Sequence, residues 1–254
     1  MRDLTRRGLL SAGAGLLLSA GLAAPALAKA GPAIALPTDV TGGEPATIKA
    51  VRTNSPVVAL TFDDGPHPRL TPPLLDLLKA KGIRATFYVI GQNVQRYPAL
   101  VRRMVEEGHE VGNHTWKHPF LTRLGPERVL RELDTTSIAI FEATGKIPVT
   151  MRPPYGAMHA NQRAMVHEAR NLPTILWSVD TQDWRRPGAS VVSRRIVRGA
   201  GKGGIVLAHD IHPGTIRAMP AAIDGLSARG FGFVTVSQLL GWPDWSGRRF
   251  RLAG

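Results

Sequence analysis

The sequence predicts one α/β domain built on a mainly parallel sheet, either open or closed into a barrel. Three observations carry this expectation. From residue 56 onward, short β-branched and apolar runs alternate with longer amphipathic stretches, the pattern of repeated strand–helix units. The chain has 254 residues, enough to bury one large core and short for two. The charged and aromatic residues that chemistry uses gather just after the apolar runs and not before them. A parallel sheet requires this, because its ligands sit at the carboxyl ends of the strands.

The elements can be justified in order. Residues 57–61 are apolar and β-branched, as in a buried strand. Residues 74–81 follow a Thr-Pro-Pro start and predict a helix. A strand over 85–90 comes next, then a helix over 97–107 with Leu100, Val101, Met104 and Val105 on one face. Residues 110–111 form a short strand, and 126–144 the longest helix, with Pro126 in its first turn. Further strands are expected over 147–150, 174–179, 205–208 and 233–234, and helices over 161–170, 190–200 and 215–229. There is no internal repeat and no low-complexity tract.

The two ends read differently. Arg2, Arg6 and Arg7 precede an uncharged Gly/Ala/Leu run that closes on Ala26-Leu27-Ala28, the pattern of a cleavable export signal. Thr5-Arg6-Arg7-Gly8-Leu9-Leu10 further resembles a twin-arginine signal, which implies the twin-arginine export machinery as a partner. The run is long enough to span a bilayer, but its glycines and Ala-x-Ala end favour cleavage. The mature chain would then have no stable membrane insertion and would be exported, to the periplasm or outside the cell. Residues 1–28 thus read as a signal peptide, 29–55 as a Pro/Gly/Thr-rich arm or linker, 56–245 as the main α/β domain and 246–254 as a basic tail.

Composition removes several functions. The chain has no cysteine, so disulfide frameworks, thiolate zinc sites, iron–sulfur clusters and cysteine nucleophiles are excluded. Any metal must be held by His, Asp, Glu or water. With 32 Lys+Arg against 19 Asp+Glu the charge is +13, and the first 28 residues hold only three Arg and one Asp. The basic excess therefore belongs to the domain and favours anionic polymers. Nucleic acid is a poor candidate, because no recognition helix, zinc finger or RNA-binding sheet motif accompanies the charge.

Five strand ends carry chemistry: Phe62-Asp63-Asp64-Gly65-Pro66, Gly112 to His118, Arg152-Pro153-Pro154-Tyr155-Gly156, Asp180-Thr181-Gln182-Asp183-Trp184 and His209-Asp210. His114 and His118 stand four apart, a spacing that puts both imidazoles on one side of a helical turn. As a bare pair they are two surface histidines more often than ligands. The consecutive carboxylates Asp63-Asp64 change the balance, since such a pair needs something cationic beside it. One Asp and two His make a three-ligand set of the catalytic type. The other Asp is then free to act as a base on water. His209 supplies an acid, and Arg152 a cation to orient the base.

These motifs resemble the polysaccharide deacetylases of carbohydrate esterase family 4, the NodB-homology domain. The resemblance runs over residues 57–240 and rests on five motifs in order: Thr61 to Pro66, His114 to His118, Arg152 to Gly156, Asp180 to Trp184 and Leu207-Ala208-His209. It implies a distorted (β/α) barrel of seven strands. It implies a divalent metal, Zn2+ first and Co2+ or Ni2+ next, on Asp64, His114 and His118. It implies Asp63 as general base, His209 as general acid, Arg152 positioning Asp63, and Asp183 tuning the acid. Trp184 and Leu207 would wall the acetyl pocket, and the Tyr155 N–H would join the oxyanion hole, held by a loop stiffened by Pro153 and Pro154.

The function expected is removal of N-acetyl groups from an envelope or exported polysaccharide, such as peptidoglycan, a chitin-like chain or an anionic exopolysaccharide. An O-acetyl esterase or a hydrolase of a small non-peptide amide fits the same motifs. A non-catalytic glycan-binding module would be expected to lack Asp63 or His209, and both are present. Of the remaining histidines, His67, His109, His159 and His167 read as surface or helix-cap residues, and His212 as a candidate for the rim of the site. Trp177 reads as core, and Trp242 and Trp245 as packing or glycan contacts.

Overall fold

The computed structural model describes residues 40–41 and 46–242. The expected signal peptide, most of the arm, Trp245 and the basic tail lie outside them. The strands are β1 (Val40–Thr41), β2 (Thr47–Ile48), β3 (Ala50–Val51), β4 (Val57–Asp63), β5 (Thr86–Val89), β6 (Glu110–Asn113), β7 (Thr174–Ile175), β8 (Val179–Asp180), β9 (Gly204–His209) and β10 (Gly232–Phe233). The helices are α1 (Thr71–Ala80), α2 (Gly91–Arg96), α3 (Pro98–Glu106), α4 (Pro126–Thr144), α5 (Ala160–Arg170), α6 (Ala189–Gly199), α7 (Pro213–Ala228) and α8 (Val236–Leu239). Short 3-10 turns cover Leu121–Arg123, Pro154–Gly156 and Asp183–Arg185.

β4 is the axis of the sheet. It pairs in parallel with β9, β5 and β10, and β5 pairs in parallel with β6. Beyond β6 the pairing passes to Met151 and then to Thr174, and on the other side β8 pairs with β9. Residues 174–180 therefore meet Met151 at their start and β9 at their end, so one stretch of chain joins both sides of a curled sheet. Counting Met151, and β7 with β8 as one, seven parallel segments make a distorted (β/α) barrel.

β4 is buried throughout after Val57, and its core-facing residues pack with Phe87, Val111, Ile205 and Val206. A strand covered on both faces reads as a continuous apolar run, which is why 57–61 was legible. α4 starts on Pro126 and stops on Gly145 at φ 70°, a left-handed C-cap that glycine adopts without cost. Its buried stripe of Val129, Leu133, Thr136 and Ile140 turns to the core.

Four expectations differ from what is seen. The arm is part of the sheet from residue 40: β1 pairs with β3, β2 pairs with β7, and β3 runs antiparallel against β9. The 147–150 strand is reduced to a bridge at Met151, and 174–179 breaks into β7 and β8. The helix expected over 97–107 is α3, preceded by α2, which the sequence reading lacked.

One buried carboxyl group ties α8 to the sheet. Glu110 is fully buried in β6, and its carboxylate accepts from the Ser237 backbone N–H at 2.7 Å and the Ser237 hydroxyl at 2.9 Å. The neighbouring Thr86 hydroxyl accepts from Val236 N–H at 2.9 Å. α8 is thus pinned under β5 and β6. Trp242, one of the two C-terminal tryptophans, packs in the core.

Candidate active site

The carboxyl ends of β4, β6, β8 and β9 and the Met151 segment surround one cavity of about 440 Å³. Asp63, Asp64, His114, His118, Tyr155, Trp184, Leu207 and His209 all line it. Arg152 and Asp183 lie behind that lining, each bonded to a residue of the wall. Every site residue expected from the sequence is therefore in one place.

Arg152 is completely buried and fully used. One guanidinium nitrogen donates to Asp63 Oδ1 and to Thr61 Oγ1, both at 2.7 Å, and the others donate to the carbonyls of Ile175 and Leu176. The guanidinium also lies 4.2 Å from the centre of the Tyr88 ring. Burial of a cation is tolerated only with such pairing. The result is that Asp63 presents one free oxygen, Oδ2, while Oδ1 is held.

Asp64, His114 and His118 offer ligand atoms that lie within 4.8 Å of one another. His114 Nε2 and His118 Nε2 stand 3.3 and 3.2 Å from Asp64 Oδ1, yet that oxygen is buried and makes no hydrogen bond. Three converging ligand atoms with an unsatisfied carboxylate oxygen among them fit a divalent ion. His114 Nδ1 is 2.7 Å from the Arg152 carbonyl, the outer contact that fixes a ligating imidazole's orientation. Burial works against the charge of Asp64, but the two imidazoles outweigh it and hold its carboxyl well below the usual range.

The reason given above for the histidine pair is not how the structure makes it. Residues 114–118 are a loop after β6, not a helical turn. Thr115 and His118 take left-handed conformations, at φ 68° and 59°, and these bring the two rings to 4.9 Å. The loop is fixed by Glu132 of α4, whose Oε2 accepts from the N–H groups of Trp116 and Lys117 at 2.8 Å. Asn113 Oδ1 accepts from Thr115 N–H at 2.9 Å. Of eight non-glycine residues with positive φ among the described residues, six lie on these loops: Asp64, Thr115, His118, Tyr155, Gln182 and Arg186. Backbone strain concentrates where function needs a fixed geometry.

On the opposite wall His209 Nδ1 is 2.7 Å from Asp183 Oδ1. Burial alone would lower the His209 pKa; the Asp183 hydrogen bond and charge, with Asp63 and Asp64, reverse this and push it up to about 9. Burial would likewise raise Asp183, but the His209 contact leaves it lowered. Thr215 also donates to Asp183 Oδ2 at 2.6 Å.

Tyr155 and Trp184 are half exposed at the mouth, at 55% and 49%. With Phe120 they are the only exposed large hydrophobic residues among the described residues. Tyr155 stacks on Phe120 at 4.0 Å and meets His118 edge-on at 4.6 Å. Trp177, expected in the core, lines the cavity, as does Asp180. Glu132 and Phe120 carried no local signal, because each acts through a contact distant in sequence; Thr61 opens the first motif, but its bond to Arg152 is not visible there. His212 lies 5.8 Å from His209 and lines a neighbouring cavity that also reaches Asp183. His159 stands at the N-cap of α5. His109 is buried, not on the surface: its Nδ1 accepts from Ala85 N–H at 3.1 Å.

The family model for polysaccharide deacetylase matches residues 50–172. A chitooligosaccharide deacetylase of Bradyrhizobium sp. (strain ANU 289) is 42% identical over 72% of this chain and 90% of its own length. The chain belongs to the polysaccharide deacetylase family. A Listeria monocytogenes peptidoglycan-N-acetylglucosamine deacetylase, PgdA, is 45% identical over 72% of this chain and 39% of its own length. The chain thus spans about two fifths of the length of that relative. Among family structures, a crystal structure of a peptidoglycan N-acetylglucosamine deacetylase superposes with a TM-score of 0.75 at 31% identity, covering 78% of this chain and 94% of the other.

Proposed function

We propose that the chain is a metal-dependent hydrolase that removes N-acetyl groups from an envelope or exported polysaccharide. The observation that carries this is the facing of two proton-handling pairs, Asp63–Arg152 and His209–Asp183, across one cavity that also holds Asp64, His114 and His118.

Asp64, His114 and His118 would hold the ion. When bound, it supplies Lewis acidity for the acetyl carbonyl and for water. Zn2+ is the first candidate, because two imidazoles and one carboxylate with open positions suit it. Asp63 takes a proton from water at Oδ2, while Arg152 keeps Oδ1 engaged and the carboxylate aimed. His209 carries its proton on the ring nitrogen away from Asp183 and delivers it to the leaving amine. Asp183 holds that imidazole in one orientation and favours its charged form. The Tyr155 N–H serves the developing oxyanion, and Trp184, Leu207 and Trp177 give the acetyl methyl an apolar wall that keeps bulk water out.

Names of relatives support a glycan substrate with N-acetylated sugars. The basic surface suits an anionic chain, and the twin-arginine-like start supports export to the periplasm or beyond. No helix among the described residues is long and apolar enough to cross a membrane.

The test is acetate release by the zinc-loaded mature protein across N-acetylated and O-acetylated glycans and small amides. Release confined to N-acetylated polymers is expected. Release confined to O-acetylated chains would replace the reading by an esterase, and binding without any release would leave a glycan-binding module.

A further inference from the structure

The chemistry above makes no use of Asp210, although it follows His209 directly. It is fully buried at the end of β9, and its Oδ1 makes no hydrogen bond. Its Oδ2 accepts from the hydroxyl of Thr71, the first residue of α1. That hydroxyl in turn accepts from the His67 backbone N–H at 2.7 Å. The carboxyl group also lies flat against Gly65: a Cβ built there would sit 2.4 Å from both of its oxygens. Gly65 directly follows Asp64, which itself stands at φ 73°.

A buried carboxyl group is costly to keep, so its position calls for a physical reason. Asp210 touches three things at once: the turn that carries Asp64, the start of α1 and, through its own backbone, His209. The Asp63 and His209 backbones are register partners in the β4–β9 pairing. That pairing fixes the strands but not the turn beyond Asp63. Asn93 donates to the Asp64 carbonyl at 2.9 Å on one side of that turn, and on the other the three atoms nearest a Cβ at Gly65 all belong to the Asp210 carboxyl group.

We propose that Asp210 is a positioning residue: through Thr71 and Gly65 it clamps the Asp64 turn against β9 and so sets the placement of the metal ligand relative to His209. The proposal rests on the metal-hydrolase reading, and deepens it by adding the support beneath the ligand. The working part is the hydrogen bond accepted from Thr71 together with the volume that fills the space over Gly65.

The variants are Asp210→Ala, Asp210→Asn and Thr71→Val. Each is followed by zinc affinity of the metal-free full chain, by kcat and KM, and by thermal unfolding. Outer partners of metal ligands are worth about 10–100-fold in metal affinity or activity. Asp210→Ala should weaken zinc binding and lower kcat by about that range, with KM within about twofold. Asp210→Asn keeps the volume and an acceptor for Thr71, so it should return most of both. Thr71→Val breaks the hydrogen bond but keeps the volume over Gly65, so it should show part of the Asp210→Ala defect, and the double variant should be no worse than Asp210→Ala, because both changes break one contact.

Native zinc affinity and kcat in Asp210→Ala would overturn the proposal. So would an Asp210→Asn as damaged as the alanine variant, or losses in Thr71→Val and Asp210→Ala that simply add. If Asp210→Ala does not fold, Thr71→Val and Asp210→Asn carry the test. Zinc binding is read without substrate, so absence of acetate release by the native protein counts against the proposed activity and leaves the clamp to be judged on affinity.

Discussion

Asp183 holds His209 at two points: Oδ2 accepts from the His209 backbone N–H, and Oδ1 faces Nδ1 of its ring, both at 2.7 Å. The imidazole is therefore fixed in position as well as in charge. The contact opposes the effect of burial and sets the pH at which His209 loses its proton. An acid must be protonated to act, so activity should fall as pH rises through that value. Asp183→Asn removes the charge while keeping the shape. The alkaline limb of the kcat/KM profile should then move to lower pH, with zinc content unchanged. An unmoved limb would show that Asp183 does not tune the acid.

The two neighbouring aspartates should fail in different ways. Asp63→Asn should keep its metal and lose about 10²–10⁴-fold in kcat, the usual worth of general acid–base catalysis. Added zinc should not restore it. Asp64→Asn removes the oxygen that stands near both histidines, so it should lose metal and regain part of its activity with excess zinc. Opposite behaviour of the pair, read by metal analysis and kinetics, would reverse the two assignments.

Loss of either imidazole should empty the site. His114→Ala or His118→Ala leaves two protein ligands, too few for a stable catalytic zinc site. Full stoichiometric zinc in both purified variants would refute the ligand set.

His109 gives a prediction about stability. Burial lowers its pKa to about 4, whereas an unfolded histidine titrates near 6.5. The folded state therefore binds fewer protons than the unfolded one between these values. The stability this confers is complete above about 6.5 and is lost as pH falls toward 4, by on the order of 1 kcal/mol per pH unit. His109→Gln should flatten that slope in thermal melts between pH 7 and pH 4.5. An identical slope in the variant would assign the acid sensitivity to other groups.

Export can be tested separately from chemistry. The mature protein should begin near Lys29, as N-terminal sequencing of exported protein would show, and an Arg6→Lys, Arg7→Lys double variant should remain inside the cell. Normal export of that variant would remove the twin-arginine reading.

Much of the site was legible because a parallel sheet sends its polar residues to one end. Five apolar runs followed by Asp63-Asp64, His114, Arg152, Asp183 and His209 could converge only there. What was not legible depends on contacts far apart in sequence. The histidine pair looks helical by spacing, but Glu132 and the positive φ of Thr115 and His118 bend a loop to the same end. The 174–179 run reads as one strand, whereas its two ends bond to different neighbours, Met151 and Val206, and the middle is pulled apart. β3 was missed because a two-residue strand in a Pro/Gly/Thr-rich stretch shows no periodicity. Arg152 is legible as the cation that orients Asp63; its complete burial is not, because it follows from contacts to Thr61, Ile175 and Leu176, none of which is its neighbour in the chain.

The seat of Glu110 has a consequence for the order of events during synthesis. Its donors, at Ser237, are separated from it by 127 positions. A nascent chain halted before them has made every strand-end motif, His209 included, but leaves the Glu110 carboxyl group with the Thr86 hydroxyl, 3.3 Å away, in place of its full set of donors. Contacts of such separation carry a loop-closure cost, and a buried carboxyl group short of donors opposes closure until they form. The last helix among the described residues thus completes the seat of a group far upstream: a product that stops short of Ser237 carries all five strand-end motifs but not the donors that close the sheet beneath them.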